Sequence, residues 1–398
     1  GRIGRRIRRS RTDRGYQALA QGLVAAAAGD TTSAKLLNRR ADKLLGHAPS
    51  TLLLSAQTAQ LENDETAARV KFEQMLKHPE TEFLGLRGLL AQAMKEGDWA
   101  SALKLARRAY LRRPHTPWVL TTLFDLQTRS GLWTEALSTV GDMARHKLID
   151  RQTATRWRAL LYHQQAAAQR AAGRPSEALA LARKAHKLQP DFAPIAVQTS
   201  ALAEQANQQS LARKVLQRAW KAKPHPALAK AYVGLDGQVP ASERLKTIER
   251  LHQLKPDDLE SELALAEQAI AARAWPAARA ALERARRLGP TAKVYRLLAE
   301  VAQAEGDGDQ ARGWLAQAVD APPDHAWLCE STGQVRAQWS AFGPDGRFDS
   351  LRWGAPPKIV PLLGDEIAEL IPPRREPAPE TPAAAATDAI REAKVDAA

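Results

Sequence analysis

The segment from Gly97 to Ala109 reads GDWASALKLARRA, and it decides the fold because its layout recurs along the chain. A turn pair, Gly97-Asp98, precedes a small residue at position 102 and a second small residue at position 109. The first of these positions recurs every 33 or 34 residues, apart from one interval of 42 and one of 66 that equals two units of 33. Its members are Ala34, Ala68, Ala102, Ala136, Ala178, Ala212, Leu245, Ala278 and Ala311. The sequence therefore contains nine repeats.

The repeats predict stacked helical hairpins. Small residues let two helices approach closely, and each hairpin buries its apolar stripe only by packing against the next one. Proline follows the second helix of most repeats, as at Pro114 and Pro256, where it prevents the helix from continuing. This period and punctuation resemble the tetratricopeptide repeat. The resemblance implies an all-α fold, a right-handed α-solenoid of about nine tetratricopeptide-like helical hairpins.

The composition of the chain bounds its class and its partners. Of 398 residues, 44% are hydrophobic, which suffices for a sizeable core and excludes wholesale disorder. A single cysteine excludes an internal disulfide framework and an all-cysteine metal cage. The net charge of +14 favours an acidic partner, whether nucleic acid, anionic lipid or an acidic protein. No run of about 18 apolar residues occurs, so no membrane span is predicted in the sequence as given.

Charge, repeat intervals and composition divide the chain into segments. The 42-residue interval indicates an eight-residue insertion, which either lengthens helices or forms a loop. Proline and alanine dominate from Gly354 onward, which predicts a disordered tail. The predicted segments are a basic juxtamembrane arm (1–14), an N-terminal repeat block (15–144), the insertion (145–156), a C-terminal repeat block (157–323), a strand-and-turn module (324–353) and the tail (354–398).

The module of residues 324–353 has the spacing of two zinc knuckles. Residues 329–333 read CESTG and residues 342–346 read FGPDG, so the C-x2-C-G layout occurs twice with three of its four cysteines replaced. Threonine, phenylalanine and aspartate do not complete a tetrahedral thiolate cage. We therefore expect a small degenerate zinc-ribbon-like cap without metal; a tryptophan-rich cap unrelated to zinc ribbons is the alternative. The residues expected to hold it together are Trp327, Trp339, Phe348 and Trp353.

Two stretches of the chain resemble the proteobacterial HemY family, whose members are membrane-anchored tetratricopeptide proteins associated with heme biogenesis. The first stretch, residues 14–45, reads RGYQALAQGLVAAAAGDTTSAKLLNRRADKLL. The second resembles the CxxCG…W…CxxCG…FD-x-L-x-W ending of alphaproteobacterial members. The matching residues are Gly22, Leu23, Gly29, Asp30, Ala34 and Ala41 in the first stretch, and Cys329, Gly333, Trp339, Gly346, Phe348, Asp349, Leu351 and Trp353 in the second.

The resemblance to HemY implies a non-catalytic scaffold at the bacterial inner membrane. Such a scaffold would bind protein partners, heme-biosynthesis enzymes among them, with the repeats facing the cytoplasm and with N-terminal anchor helices that are absent from this chain. No resident cofactor is implied. Two alternatives stay open. One is a direct heme or porphyrin carrier that binds transiently through Cys329 or a histidine, and the other is a tetratricopeptide regulator of envelope lipid synthesis.

The arginine-rich arm allows two interpretations. As a juxtamembrane segment it contacts anionic headgroups, with each arginine near the surface contributing about 1 kcal/mol. As a solvated linker it contacts nothing. It lacks the interleaved aromatic residues of an arm that binds single-stranded nucleic acid, so nucleic acid is not an expected partner. Its arginines are Arg2, Arg5, Arg6, Arg8, Arg9, Arg11 and Arg14.

The remaining candidate site is a groove for partners. The motifs GxSxG, G-x4-G-K-[ST], GxGxxG and HExxH do not occur, so we expect no enzyme. In tetratricopeptide arrays the first helix of each hairpin lines the groove. Spacing places eight polar residues there, although an ordinary solvated helix face is the alternative. These residues are Gln57, Arg87, Asp125, His163, Arg170, Glu204, Glu267 and Arg296.

Overall fold

A computed structural model describes residues 2–46 and 48–357, with side chains described from Ser10 onward. This part of the chain contains eighteen α-helices followed by three short strands. In chain order the helix pairs are α1 (Arg2–Ala27) and α2 (Thr31–Leu45), α3 (Pro49–Leu61) and α4 (Glu65–Met75), α5 (Pro79–Glu96) and α6 (Trp99–Arg112), α7 (Pro117–Arg129) and α8 (Trp133–Arg145), α9 (Arg151–Ala171) and α10 (Pro175–Leu188), α11 (Ala193–Gln205) and α12 (Gln209–Ala222), α13 (Pro226–Gly234) and α14 (Ala241–His252), α15 (Leu259–Ala271) and α16 (Trp275–Leu288), and α17 (Ala292–Ala304) and α18 (Gly308–Asp320). The all-α repeat fold predicted from the 33–34-residue period is confirmed.

The repeated turn pair ends one helix and begins the next. Gly97 has a φ of 74°, a left-handed conformation that glycine adopts without a clash at Cβ. Asp98 then caps α6, because its carboxylate accepts a hydrogen bond from the backbone N–H of Ser101 at 3.1 Å. Asp30 and Asp307 cap α2 and α18 in the same way. The turn pair in the sequence is therefore a C-cap joined to an N-cap.

The columns of small residues are the places where helices pack most closely. The alanines of the first column are 0 to 4% exposed. Leu245, the large residue in that column, is only half-buried. It lies on α14, whose partner α13 has nine residues and ends at Gly234. The hairpin with the least typical sequence is thus the one with the shortest first helix.

The chain divides into two compact units between Leu126 and Gln127. The first unit, up to Leu126, buries several small clusters, such as the one that joins Ala68, Phe72 and Met75. The second unit has one continuous core that extends from Ala166 to Val301. An insertion of eight residues is predicted at 145–156. The first helix that follows, α9, has 21 residues, whereas α11, the first helix of the next hairpin, has 13. Residues 146–150 form the connection between α8 and α9.

The predicted arm is helical. Residues 2–14 form the first half of α1, which continues without a break to Ala27. Arg11 donates a hydrogen bond from Nη2 to the backbone oxygen of Lys43 at 3.0 Å, and Arg14 donates from Nε to the oxygen of Ser10 at 3.1 Å. Among the described residues, no helix combines the length and the apolar character that crossing a membrane requires.

The residues of the predicted strand-and-turn module contain a small antiparallel sheet. Its strands are β1 (Ala326–Cys329), β2 (Val335–Arg336) and β3 (Leu351–Gly354), in the spatial order β2-β1-β3. Trp327 pairs with Trp353, and Leu328 pairs with Val335. We refer to residues 324–354 as the β module. Residues 358–398, most of the predicted disordered tail, lie outside the described residues.

Candidate partner-binding groove

In the second unit, the β module lies against the first helices of the hairpins. We call the side of each unit formed by these first helices the first-helix face. Arg156 on α9 forms a two-point ion pair with Asp349, with Nε–Oδ2 and Nη2–Oδ1 distances of 2.7 Å. The Asp349 side chain is only 1% exposed. Arg352 adds a longer contact to the same carboxylate, at 3.1 Å. A buried carboxylate is thus neutralised by two guanidinium groups.

Aromatic rings make up most of the contact between the β module and the helices. Phe192, the N-cap residue of α11, packs edge-on against Trp327 and Trp339, with centroid distances of 5.8 and 5.4 Å. Trp339 also meets the ring of His163 at 5.3 Å. The ring centroids of His225 and Trp353 are 4.2 Å apart. Edge-to-face pairs of this kind stabilise a contact beyond the area they bury, so the module is firmly packed and not a loose appendage.

The far end of the β module is fastened by polar contacts to α15 and α17. The Asp324 carboxylate accepts a hydrogen bond from the backbone N–H of Lys293 at 2.6 Å and pairs with Arg296. Nδ1 of His325 lies 3.3 Å from Oε1 of Glu260. The hydrogen bond to Glu260 raises the pKa of His325, because it favours the charged imidazolium. Contacts from Arg156 to Arg296 therefore span the first-helix face from α9 to α17.

The interior of the β module contains a hydrogen-bonded cluster around Cys329 and Asp345. Ser331 and Ser350 donate to the two carboxylate oxygens of Asp345 at 2.6 and 2.7 Å, and the backbone N–H of Arg347 donates at 3.0 Å. Burial alone would raise the pKa of Asp345, but these donors lower it to about 2. Cys329 is buried, and hydrogen bonds from Ser331 and Thr332 outweigh burial and lower its pKa to about 6. Hydroxyl groups thus occupy the space around the remaining thiol.

The donor set at the knuckle does not resemble a metal site. Within residues 2–46 and 48–357, no group of three or more histidine, cysteine, aspartate or glutamate side chains is placed to hold a metal ion. Cys329 is the one cysteine present in the C-x2-C-G pattern, Asp345 stands at another of its cysteine positions, and both side chains are engaged by hydroxyl groups. The structure accordingly contains a β module stabilised by packing and hydrogen bonds.

The predicted groove residues of the second unit do not form one open surface. His163 is covered by Trp339, and its Nδ1 atom is buried. Arg296 is engaged by Asp324, and Glu267 pairs with Lys293 at 2.6 Å. Arg170 and Glu204 are exposed near the C-terminal ends of α9 and α11. The β module takes up two of these five positions, His163 and Arg296.

In the first unit, aromatic and arginine side chains cluster beside the buried residues Leu86, Ala109 and Val119. Arg87 on α5 stacks on the ring of Trp118, the second residue of α7, at 5.5 Å. Phe83 meets the same ring at 5.4 Å, and Arg113 lies over Phe83 at 4.8 Å. The side chains of Phe83, Arg87 and Trp118 are all half-buried. We call this set of four residues the Trp118 stack.

The Trp118 stack includes one residue from the predicted groove and three that the sequence reasoning missed. The other two predicted positions of this unit, Gln57 and Asp125, are half-buried on α3 and α7. The signal for Phe83 and Trp118 was available, because both are large aromatic residues near the start of a first helix. It was overlooked because only polar positions were considered as candidates.

Comparison with known proteins finds a relative that matches about half of this chain. A relative with the description "Probable magnetosome protein Mms48", from Magnetospirillum gryphiswaldense, is 27% identical over 223 residues, which are 56% of this chain. The chain spans about half of that relative, 49% of its length.

Several solved structures show a local likeness to this chain. A tetratricopeptide repeat protein from Parabacteroides merdae has a TM-score of 0.29 at 18% identity, covering 60% of this chain and 93% of that one. MamA from Desulfovibrio magneticus has a TM-score of 0.27 at 16% identity, covering 41% and 94%. The Naa15/Naa10 complex bound to HypK-THB has a TM-score of 0.44 at 13% identity, covering 79% and 59%. With TM-scores below 0.5, these likenesses carry no further conclusion.

The family comparison concerns the beginning of the chain. Residues 1–63 comprise the arginine-rich arm, the first hairpin and the whole of α3. They match the family model described as the HemY protein N-terminus, so the resemblance to HemY proteins is confirmed for this segment.

Proposed function

We propose that this protein is a non-catalytic scaffold that binds protein partners through the Trp118 stack of the first unit. The observation that carries this proposal is the half-buried cluster of Phe83, Arg87 and Trp118, in which the Arg87 guanidinium stacks on the tryptophan ring. Tryptophan and arginine in partly desolvated surroundings are the residues that most often dominate binding energy at protein interfaces. The first-helix face of the second unit is less suited to this role, because the β module packs on it.

The setting of this scaffold is part of the same proposal. The match of residues 1–63 to the HemY N-terminus supports a place at the inner membrane, with enzymes of late heme biosynthesis as partners. The arm then lies next to the anionic headgroups, where the charge of its seven arginines is favourable. The scaffold brings consecutive enzymes together so that reactive porphyrins pass between them.

The partner proposal is tested with the membrane-anchored protein. Trp118→Ala and Arg87→Ala are compared with Lys104→Ala, a change at an exposed lysine on α6 that lies outside the stack. Cross-linking in membranes followed by quantification of each captured heme-biosynthesis enzyme should show at least a tenfold loss for Trp118→Ala. The thermal unfolding midpoint should remain within a few degrees of the wild type. Equal capture by all three variants would exclude the stack as the partner site.

The membrane proposal has its own test. Vesicles that contain phosphatidylglycerol should sediment the wild type at 0.1 M salt but not at 1 M, because the Debye length falls from about 10 Å to about 3 Å. Deleting residues 2–14 should remove most of the binding. If both proteins sediment equally, the arm is a linker.

A stoichiometric shift of the Soret band on addition of heme would favour the carrier alternative over the scaffold.

A further inference from the structure

An open hollow of about 320 Å³ lies between α10 and α12 in the second unit. Four of its eight lining residues are cations, three on α10 and one on α12, and none is an aspartate or a glutamate. The side chains of all four cations are exposed to solvent. We call this site the basic hollow; its cations are Arg183, Lys184, Lys187 and Arg218.

Nearby acids do not balance this charge. Among the described residues, no aspartate or glutamate forms an ion pair with any of the four cations. Glu177, the single acid of α10, lies 4.0 Å from Arg174, and α12 contains no acid. Asp191, in the loop after α10, does not line the hollow. The positive charge of the basic hollow is therefore met mainly by solvent.

Another hairpin shows what is missing here. In the pair α15 and α16, Arg284 donates from Nε to Glu262 at 2.9 Å, and the acid lies 22 positions before the arginine. The residue at the same interval before Lys184 is Tyr162, and the Lys184 ammonium lies over its ring at 5.8 Å. Helix α9 contains no acid, and α11 contains only Glu204, near its end. The first helices next to the hollow thus lack the acid that balances a second-helix cation elsewhere.

Like charges are also neighbours along both helices. Arg183 and Lys187 are four residues apart on α10, and Lys214 and Arg218 are four residues apart on α12. Side chains at this spacing lie next to each other on a helix surface, where two like charges destabilise the helix. A bound anion would offset this repulsion, so the free protein has an unfavourable interaction that a negatively charged ligand relieves.

The two walls of the hollow are close enough to act on one ligand. Burial lowers the pKa of His186 on α10, and the charge of Arg218 on α12 lowers it further, to about 4. The guanidinium of Arg218 therefore acts across the gap between the two helices. The volume of the hollow lies at the lower end of the roughly 300–1,000 Å³ typical of small-molecule sites. Cations on both walls can thus contact a single compact anion.

We propose that the basic hollow binds a multiply charged phosphate group. A phosphate monoester carries a charge of about −1.5 to −2 at pH 7 on three acceptor oxygens, so it concentrates charge in a small volume. The guanidinium of Arg218 donates two parallel N–H groups to such an oxyanion, and Lys187 attracts it as a point charge. An acidic peptide distributes its carboxylates along an extended chain, and it suits a longer row of cations than one hollow provides.

The phosphate belongs either to a soluble diphosphate compound or to a lipid headgroup. Both sources offer the same chemistry to the four cations, so the experiment has one arm for each. The basic hollow shares no residue with the Trp118 stack or with the arginine-rich arm. The phosphate proposal therefore stands or falls independently of the proposed function.

The first arm is calorimetric titration of the full chain with pyrophosphate. Lys187→Gln and Arg218→Gln should each weaken binding about fivefold, the upper end of what one exposed charge contributes. Lys221→Gln removes the same charge from an exposed lysine of α12 outside the hollow, and it should leave the affinity unchanged. Because the three side chains are exposed, all three variants are expected to fold, and thermal unfolding checks this.

The second arm measures sedimentation with phosphatidylcholine vesicles that do or do not contain phosphatidic acid. A larger effect of Lys187→Gln on vesicle binding than on pyrophosphate binding identifies a lipid headgroup as the ligand, and the reverse identifies a soluble compound. The arginine-rich arm of the chain is unchanged in every variant, so its own attraction to anions cancels in the comparison. The proposal is overturned if Lys187→Gln and Lys221→Gln behave alike with both probes. It is also overturned if a hexaglutamate peptide binds more tightly than pyrophosphate and loses that affinity in Lys187→Gln.

Discussion

Arg156 and Asp349 lie 193 positions apart in the chain and are joined by two hydrogen bonds of 2.7 Å. The guanidinium of Arg156 also lies over the ring of Phe192, at 4.8 Å. One arginine on a first helix thus contacts both the carboxylate of the β module and the aromatic residue that receives two of its tryptophans. This residue is the centre of the contact between the module and the repeats.

Replacing Arg156 by methionine should destabilise the second unit. The Asp349 carboxylate would stay buried with Arg352 as its remaining partner, and breaking a buried ion pair typically costs about 3–5 kcal/mol. Because Arg352 remains, we expect about 2–3 kcal/mol, measured by urea unfolding followed through tryptophan fluorescence. Arg151→Met, at an exposed arginine one turn earlier on α9, is the control. The double variant Arg156→Met/Asp349→Asn should recover part of the loss. Identical unfolding curves for the Arg156 and Arg151 variants would show that the ion pair contributes nothing.

The repeat register predicts where alanine cannot be enlarged. Ala102 and Ala178 are fully buried in the first small column, so leucine at either position should overpack the helix contact and cost about 1–3 kcal/mol. Ala100 and Ala180 lie two residues away on the same helices and are exposed, so leucine there should change stability little. Thermal unfolding of the four variants is the measurement. A register shifted by two residues would reverse the order.

The last hairpin exposes a leucine position that is buried in the hairpin before it. Leu282 on α16 is fully buried, whereas Leu315, at the equivalent place on α18, is 50% exposed because no described helix stacks beyond it. Leu282→Ala should therefore cost about 2–5 kcal/mol, as for a leucine in a packed core. Leu315→Ala should cost less than about 1 kcal/mol. Comparable losses in chemical denaturation would mean that α18 is covered in solution.

Buried histidines should make the protein sensitive to mild acid. Burial lowers the pKa of His163 and of His186 to about 4, and Arg218 adds to the effect at His186. Between pH 6.5 and 4 the unfolded chain binds more protons than the folded chain. Stability therefore falls as the pH drops through this window, by up to about 1.4 kcal/mol per pH unit for each histidine, and is unaffected by them above pH 6.5.

The pH dependence is checked by urea unfolding at pH 7.5, 6 and 5. His186→Asn should reduce the slope of stability against pH, whatever its effect on stability at pH 7.5. His115→Asn, at an exposed histidine, should leave the slope as in the wild type. If the His186 variant keeps the wild-type slope of stability against pH, as the His115 control should, burial of His186 does not control the acid response.

Most of the repeat architecture could be predicted because short sequence motifs at the turns and helix contacts specify it. The pair Gly97-Asp98 indicates a left-handed C-cap followed by an N-cap. One turn later, Ala102 indicates close packing between the two helices. The turn before α16 carried no such signal. Arg273 occupies the left-handed position with a φ of 56°, where the other repeats have glycine or asparagine. The spacing of Ala266, Ala278, Ala285 and Pro290 identified that repeat.

The candidate sites were much less accessible from sequence. The groove prediction used helix spacing, which identifies a face of a helix but not what covers it. His163 was placed correctly on a first helix, yet Trp339, 176 positions later, packs on its ring. The ring contacts of His225 join the residue just before α13 to Trp327 of β1 and Trp353 of β3. Contacts between such distant positions follow from tertiary packing, which repeat spacing does not encode.

The ion pair between Arg156 and Asp349 also sets an order of events during synthesis. All eighteen helices of residues 2–46 and 48–357 are translated before Asp349 is. At about 5–20 residues per second, roughly ten to forty seconds separate the translation of Arg156 from that of Asp349. Until the β module is made, Phe192 and the side of α9 that contacts the module remain exposed. A nascent-chain chaperone, or a partner loaded during translation, has access to that surface only until the β module is made.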